Sequence, residues 1–362
     1  MKGNIREILA KTSIEASAPC RIDMGGTLDL STFYLPLRKF SPCTFNIALA
    51  LKTRVRIEAH EKGVTEVVSR GFRKRRFSLA KAPFDHPLGL MVAVANYFEA
   101  DGVKITIESS SPPRSALGGS SAAAVALVAA FSKAGQLAGA GPMSKKQMAM
   151  LAYTLEGSVA GVPCGLQDHL SAAFGKVHAW HWPNTFDAPP FRREAVLTPA
   201  NFNRMKKHLL VAYCGIPHES RSLNSRWVKQ FLAGRHRDKW IEICSLTQKF
   251  VEALKELNYR KAAEFMNREV DLRRAMTPWV LDDVGKKLCT AAKAVHCGAR
   301  FTGAGGGGCI WALGQIEDVD RLRAMWENIL KKSRGAVMLD TAIDRKGVTV
   351  HKPITDRIKG ST

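Results

Sequence analysis

The segment Pro112-Pro113-Arg114-Ser115-Ala116-Leu117-Gly118-Gly119-Ser120-Ser121-Ala122-Ala123-Ala124-Val125 constrains this chain most, because a proline turn and two glycines run straight into an alanine-rich helical pattern. The glycines let the backbone turn its N–H groups toward one point, and the helix start adds partial positive charge, so the junction reads as a phosphate cradle. Ser120 and Ser121 add hydroxyls suited to a magnesium ion or a phosphate oxygen. No GxxxxGK[ST] pattern occurs in the chain, which argues against a P-loop NTPase.

Three further segments carry chemistry. Phe301 to Ile310 packs five glycines into six positions between two apolar runs, and a loop without side chains is costly unless something must approach its backbone closely. Glu156 to His169 ends a helical pattern, passes through a Gly/Pro turn and reaches Gln167-Asp168-His169, where Asp168 falls at or in the first turn of a new helix. A carboxylate there is favoured by the helix dipole. Ala18-Pro19-Cys20-Arg21-Ile22-Asp23-Met24-Gly25-Gly26-Thr27-Leu28-Asp29 places an arginine and two acids around a glycine turn. Read alone, these segments also fit a capped helix, a flexible hairpin and a structural ion pair.

Taken together and in this order, the four segments resemble the motifs of the GHMP kinases (galactokinase, homoserine kinase, mevalonate kinase, phosphomevalonate kinase), most nearly the sugar-1-kinase branch of heptose 7-phosphate kinase and fucokinase. The first segment is similar to PxxxGLGSSAA, with Ala116 where a glycine is usual. Phe301 to Ile310 is similar to GAGGGG, and Ala18 to Asp29 to APGRIDFAGGWTD, with Cys20 at a usual glycine and the Gly25–Asp29 stretch one residue shorter. Gln167-Asp168-His169 resembles the QDQ of the branch, with His169 at a glutamine.

The resemblance implies roles. Asp168 would be the general base, with Arg21 beside it. Leu117, Gly118, Gly119, Ser120, Ser121 and Ala122, with Gly305 and Gly306, would hold ATP. Ser120 (or Ser121) and Glu156 would hold Mg2+. Gly26, Asp29 and Gly303 would face the substrate, joined by His218, Ser220 and Arg221 from a segment after a strand, Tyr213 to Asn224, which is similar to YTGxxRxS of the same branch. Arg221 at a helix start suits a phosphate or carboxylate on the substrate.

Composition sets the outer limits. At 362 residues and 46% hydrophobic the chain can build two domains, expected at 1-190 and 191-362. No apolar run reaches membrane-spanning length, and Met1 to Ser17 lacks a signal-peptide core, so a cytoplasmic protein is expected. Eight cysteines without a CxxC pair argue against zinc. A net charge of +22 invites a nucleic-acid reading, with Arg70 to Arg76 as the densest cluster. That cluster lies in a strand-turn-strand pattern where arginines form a solvated face, and a field attracting ATP and phosphorylated sugars accounts for the charge more simply.

Strand patterns at 47–59, 64–69 and 103–109, helical ones at 87–100, 122–137 and 145–158, and a mainly helical second half closing with strands near 336–339 and 348–351 predict an α+β chain. The expected architecture is a two-domain GHMP kinase fold, with an N-terminal mixed α/β domain and a C-terminal ferredoxin-like sandwich. The function expected is ATP- and Mg-dependent phosphorylation of a sugar or sugar phosphate, at the anomeric hydroxyl. A non-sugar alcohol of the mevalonate or homoserine type, a silent nucleotide- or sugar-binding relative, and an RNA-binding protein stay open, as does a homodimer.

Overall fold

A computed structural model describes residues 5–351 except Val162, Asn184, Phe186, His218 and Glu219, and only the backbone of 220–222. The strands are β1 (Ile14–Met24), β2 (Cys43–Ala59), β3 (Thr65–Ser69), β4 (Arg75–Phe77), β5 (Val103–Ser109), β6 (Val177–His181), β7 (Arg192–Ala195), β8 (Leu209–Tyr213), β9 (Gly298–Phe301), β10 (Cys309–Leu313), β11 (Val337–Met338) and β12 (Thr349–Val350). The helices are α1 (Ile5–Lys11), α2 (Ser31–Tyr34), α3 (Gly89–Tyr97), α4 (Gly119–Leu137), α5 (Lys145–Val159), α6 (Gln167–Phe174), α7 (Phe202–Lys207), α8 (Ser220–Leu232), α9 (Arg237–Lys255), α10 (Tyr259–Met276), α11 (Asp283–Ala294) and α12 (Ile316–Leu330).

Two sheets organise these elements, giving the mixed α+β class that the sequence predicts. The larger runs β12-β1-β2-β5-β3-β4, with β6 and β7 branching from β2, and the smaller is β11-β8-β10-β9. Alternation along the small sheet explains its place in the molecule. Leu209 and Val211 of β8, with Cys309, Trp311 and Leu313 of β10, join the first core, while Leu210, Ala212, Ile310 and Ala312 join the second. The small sheet is therefore apolar on both faces, and its period of two divides its side chains between two cores.

Helix α4 lies at the centre of the larger core. Its residues from Ala122 to Phe131 are all buried, and a helix that is apolar all round belongs inside a protein. The alanines let β1 and β2 approach closely. α4 starts at Gly119, three residues before the predicted onset, because Gly118 takes a left-handed φ of 71° and its successor is already helical.

The chain end departs from expectation. The strand at its close does not complete the second layer. β12 pairs antiparallel with β1 (Ala16 opposite Val350), and Ile343 bridges to Leu49. Lys52 and Asp344 form an ion pair beside that crossing. β7, just past residue 190, also pairs into the first sheet through β6. No helix among the described residues is long and apolar enough to cross a membrane.

Candidate active site

A cavity of about 760 Å³ opens where the loop before α4, the start of α6, the end of α5 and the turn after β1 converge. Arg21 and Asp168 meet on its wall. Nε of Arg21 donates to Oδ1 of Asp168 at 2.7 Å, and a terminal nitrogen donates to Oδ2 at 2.8 Å, a bidentate fork. The second terminal nitrogen donates to the Ala116 carbonyl at 2.6 Å and lies 3.4 Å from Asp23. Burial works against the Arg21 charge, but Asp168 and Asp23 outweigh it and raise its pKa. Arg21 is buried and Asp168 partly exposed, so of the two lining residues the acid is the more open to the cavity.

Gly118 closes this corner. A Cβ there would lie 3.2 Å from Oδ2 of Asp168, tighter than ordinary contact, besides straining the left-handed φ, so a glycine suits the close approach of loop and acid. No side chain caps α4, which leaves its first-turn N–H groups facing the cavity at Gly119, Ser120 and Ser121. The donor set fits a nucleotide phosphate. Ala116 takes φ 61° in the same loop, the conformation that a glycine at that position would adopt without strain.

The acid on the opposite wall is Glu156, near the end of α5. Oγ of Ser121 donates to its Oε2 at 3.1 Å, and Nε2 of His169 lies 2.8 Å from the same oxygen. Burial would raise the Glu156 pKa, yet the His169 ring and the Ser121 hydroxyl outweigh it and hold the carboxyl below its ordinary value. Ser121, rather than Ser120, faces Glu156. Successive helical residues point about 100° apart, and Ser120 projects outward on the exposed side of the cavity. A hydroxyl and a carboxylate suit Mg2+, which binds through one or two protein oxygens plus phosphates and water. No cluster of three or more acidic, histidine or cysteine ligands occurs among the described residues, so this pair would have to share the ion with phosphate oxygens.

Asp29 supplies a third carboxylate. It accepts the Gln167 backbone N–H at 3.1 Å and the Gln167 side-chain amide at 3.2 Å, and lines the cavity while almost wholly buried. Burial, with the nearby Asp168 charge, raises its pKa to about 6. The orientation of the supporting amides is fixed. Trp180 can only donate, to Oδ1 of Asn46 at 2.7 Å, so Nδ2 of Asn46 donates to Oε1 of Gln167 at 3.0 Å and Nε2 of Gln167 must donate to Asp29.

Behind the site runs a buried ion network that the motifs did not reveal. Asp23 accepts from Arg300 at 3.0 Å and from the Gly303 N–H at 2.6 Å. Arg300 and Arg273 both grip Glu269 at 2.9 Å, and Arg273 donates to the Gly26 carbonyl at 2.6 Å. A sequence signal existed. Ala262, Met266, Glu269 and Arg273 form one helical stripe, and two charged residues on an apolar stripe must be paired.

Several expected contacts do not lie on the cavity. Gly305 and Gly306 pack on Val280 and Leu223, and Gly308 meets the Ser115 carbonyl and Ala116, so the glycine loop braces the loop before α4 from behind and reaches the cavity only at Gly303 and Ala304. Gly26 and Ala122 also sit behind the wall, held by Arg273 and by the α4 interior. Leu117 lines the cavity as expected. His218 lies outside the described residues, as do the side chains of Ser220 and Arg221.

Residues 86–176, which contain the loop before α4, Glu156 and Asp168, match the family model described as GHMP kinases N terminal domain. The chain is 25% identical over 337 residues to the mevalonate kinase of Pyrococcus horikoshii, covering 84% of this chain and 90% of that protein. It is 26% identical to the mevalonate kinase of Pyrococcus furiosus, with coverages of 84% and 88%. The fold is similar to Lactococcus lactis galactokinase complexed with galactose (TM-score 0.71, 16% identity, 95% of this chain and 97% of that one). It is also similar to a D-glycero-D-manno-heptose 1-phosphate kinase from Bacteriodes thetaiotaomicron (TM-score 0.68, 16% identity, coverages of 94% and 99%).

Proposed function

We propose that this chain is an ATP-dependent phosphotransferase of the GHMP kinase type with an alcohol acceptor, and that the acceptor is a hydroxyl of a sugar or sugar phosphate, the anomeric one. The observation that carries this is the bidentate Arg21–Asp168 pair, set in one cavity with the uncapped start of α4 and with Asp29. Phosphoryl transfer asks a protein for positioning, charge neutralisation and a base more than for covalent chemistry.

Each part has its residue. Asp168 accepts the hydrogen bond of the attacking hydroxyl and takes its proton, and Arg21 holds the carboxylate in one orientation. The first-turn N–H groups of α4 hold the phosphate oxygens. Glu156 and Ser121 would hold magnesium, which would supply charge neutralisation for those oxygens. Asp29, fixed by Gln167, accepts hydrogen bonds from further hydroxyls and so sets which one meets Asp168.

The part of the wall at Asp29 and Asp168 suits substrate hydroxyls. Among the described residues lining the cavity the cations are Arg21, already bound to Asp168, and Arg70 and Arg114. Any anionic substrate group, carboxylate or phosphate, would meet like charge beside Asp29 and Asp168 and would have to lie toward Arg70 or Arg114. The relatives named as mevalonate kinases make a mevalonate-type alcohol the second reading. ATP consumption measured over a panel of free sugars, sugar 1- and 7-phosphates, mevalonate and homoserine decides between them. Turnover on a sugar or sugar phosphate that Asp168→Asn abolishes supports the first reading; turnover on mevalonate alone overturns it.

A further inference from the structure

A second cavity, of about 680 Å³, lies away from the first and shares no lining residue with it. Its floor holds Phe174 and Val348, and Lys145, Lys176, Arg193, Arg345 and Lys346 line it from four separate segments. Among the described residues none of these five has a carboxylate within ion-pair distance. Arg193 stacks on Phe174, Arg345 donates to Asn203, and Lys145 donates to the Lys346 carbonyl. The acid nearest them, Asp344, is bound to Lys52 and accepts the Lys346 and Gly347 N–H groups.

Five cations without a paired carboxylate converge on a concave, partly apolar pocket, Lys145 half-buried and the other four exposed, and an anion seated among them would offset their mutual repulsion. Two groups of the lining feel both their burial and this positive field. Burial, with Lys176, Arg193 and Lys52 against it, lowers the Lys145 ammonium in spite of Asp344, and burial with Arg193 pushes His178 on the floor down to about 4. We infer that this cavity is a binding site for a small multiply charged anion, a phosphorylated metabolite carrying two or more negative charges, separate from the catalytic cavity. A pocket of this volume is the size of a small-molecule site.

The two cavities share helices. α5 begins with Lys145 at the second cavity and carries Glu156 at the first, about 16 Å along its axis. α6 begins with Gln167 and Asp168 at the first and ends with Phe174 at the second. An anion drawing Lys145 and Arg193 together therefore acts on the far ends of the two elements that carry the metal and base residues.

Calorimetric titration with inorganic pyrophosphate tests the site, with the catalytic cavity filled by a saturating non-hydrolysable ATP analogue. Wild-type protein should still bind one pyrophosphate. The Lys176→Glu/Arg193→Glu variant, altered at two exposed side chains, should bind it about tenfold or more weakly while affinity for the analogue changes by less than about twofold. Loss of pyrophosphate binding once the analogue is present, or unchanged binding by the variant, overturns the inference. Displacement by a short oligonucleotide at lower phosphate concentration also overturns it, by assigning the surface to nucleic acid.

Discussion

Replacing Asp29 by asparagine separates two effects that the structure sets against each other. With its pKa raised from 3.8 to about 6, the buried carboxyl is harder to ionise in the folded protein than in the unfolded chain. A group of this kind leaves stability intact below its unfolded pKa and removes it as pH rises through the folded value. The cost grows to about 3 kcal/mol at pH 7.5 and is about 1 kcal/mol at pH 4.5. Asparagine removes that cost but brings an NH2 group against Gln167, whose two N–H donors both point at Asp29 and cannot turn because Trp180 fixes the amide chain. One lost hydrogen bond in a buried site costs about 1–3 kcal/mol. Asp29→Asn should therefore match or exceed wild-type stability at pH 7.5 by up to about 2 kcal/mol, and fall below it at pH 4.5. Urea unfolding of both proteins at the two pH values, with equal m-values as a control, measures the difference between differences, expected near 2 kcal/mol. A stability gap that does not change with pH would refute the reasoning, because Asp29 would then titrate alike in both states.

Asp168→Asn should fold normally and lose about 10² to 10⁴-fold in kcat, with the Kd for ATP nearly unchanged; wild-type turnover would remove the base assignment. Glu156→Gln should raise the magnesium concentration needed for half-maximal rate, and magnesium titrations of the two proteins that superimpose would contradict its role. Glu269→Ala leaves Arg273 and Arg300 buried without their shared acid, so denaturation should show a loss of about 3–5 kcal/mol, whereas a loss under 1 kcal/mol would mean that water or Asp23 takes over.

The sequence alone determined the local pieces. The proline turn, glycines and alanine run located α4 and the loop before it, period-two and period-3.6 patterns located most strands and helices within a few residues, and the Gln167-Asp168 and Ala18–Asp29 segments singled out Arg21, Asp29 and Asp168, which line one cavity in the structure. These features are written in windows of a dozen residues, where turn chemistry and helical or strand periodicity act. Only the tertiary structure decided that Ser121 and not Ser120 meets Glu156, that the glycine loop braces Ser115 and Ala116, that β12 returns to β1, and that Asp23, Glu269, Arg273 and Arg300 join across the core. Asp23 and Arg300 stand 277 positions apart, and the cations of the second cavity come from Lys145 through Lys346. Their meeting depends on the order and register of the strands, which no short stretch of sequence contains, because long-range pairing is decided by the packing of all the elements at once.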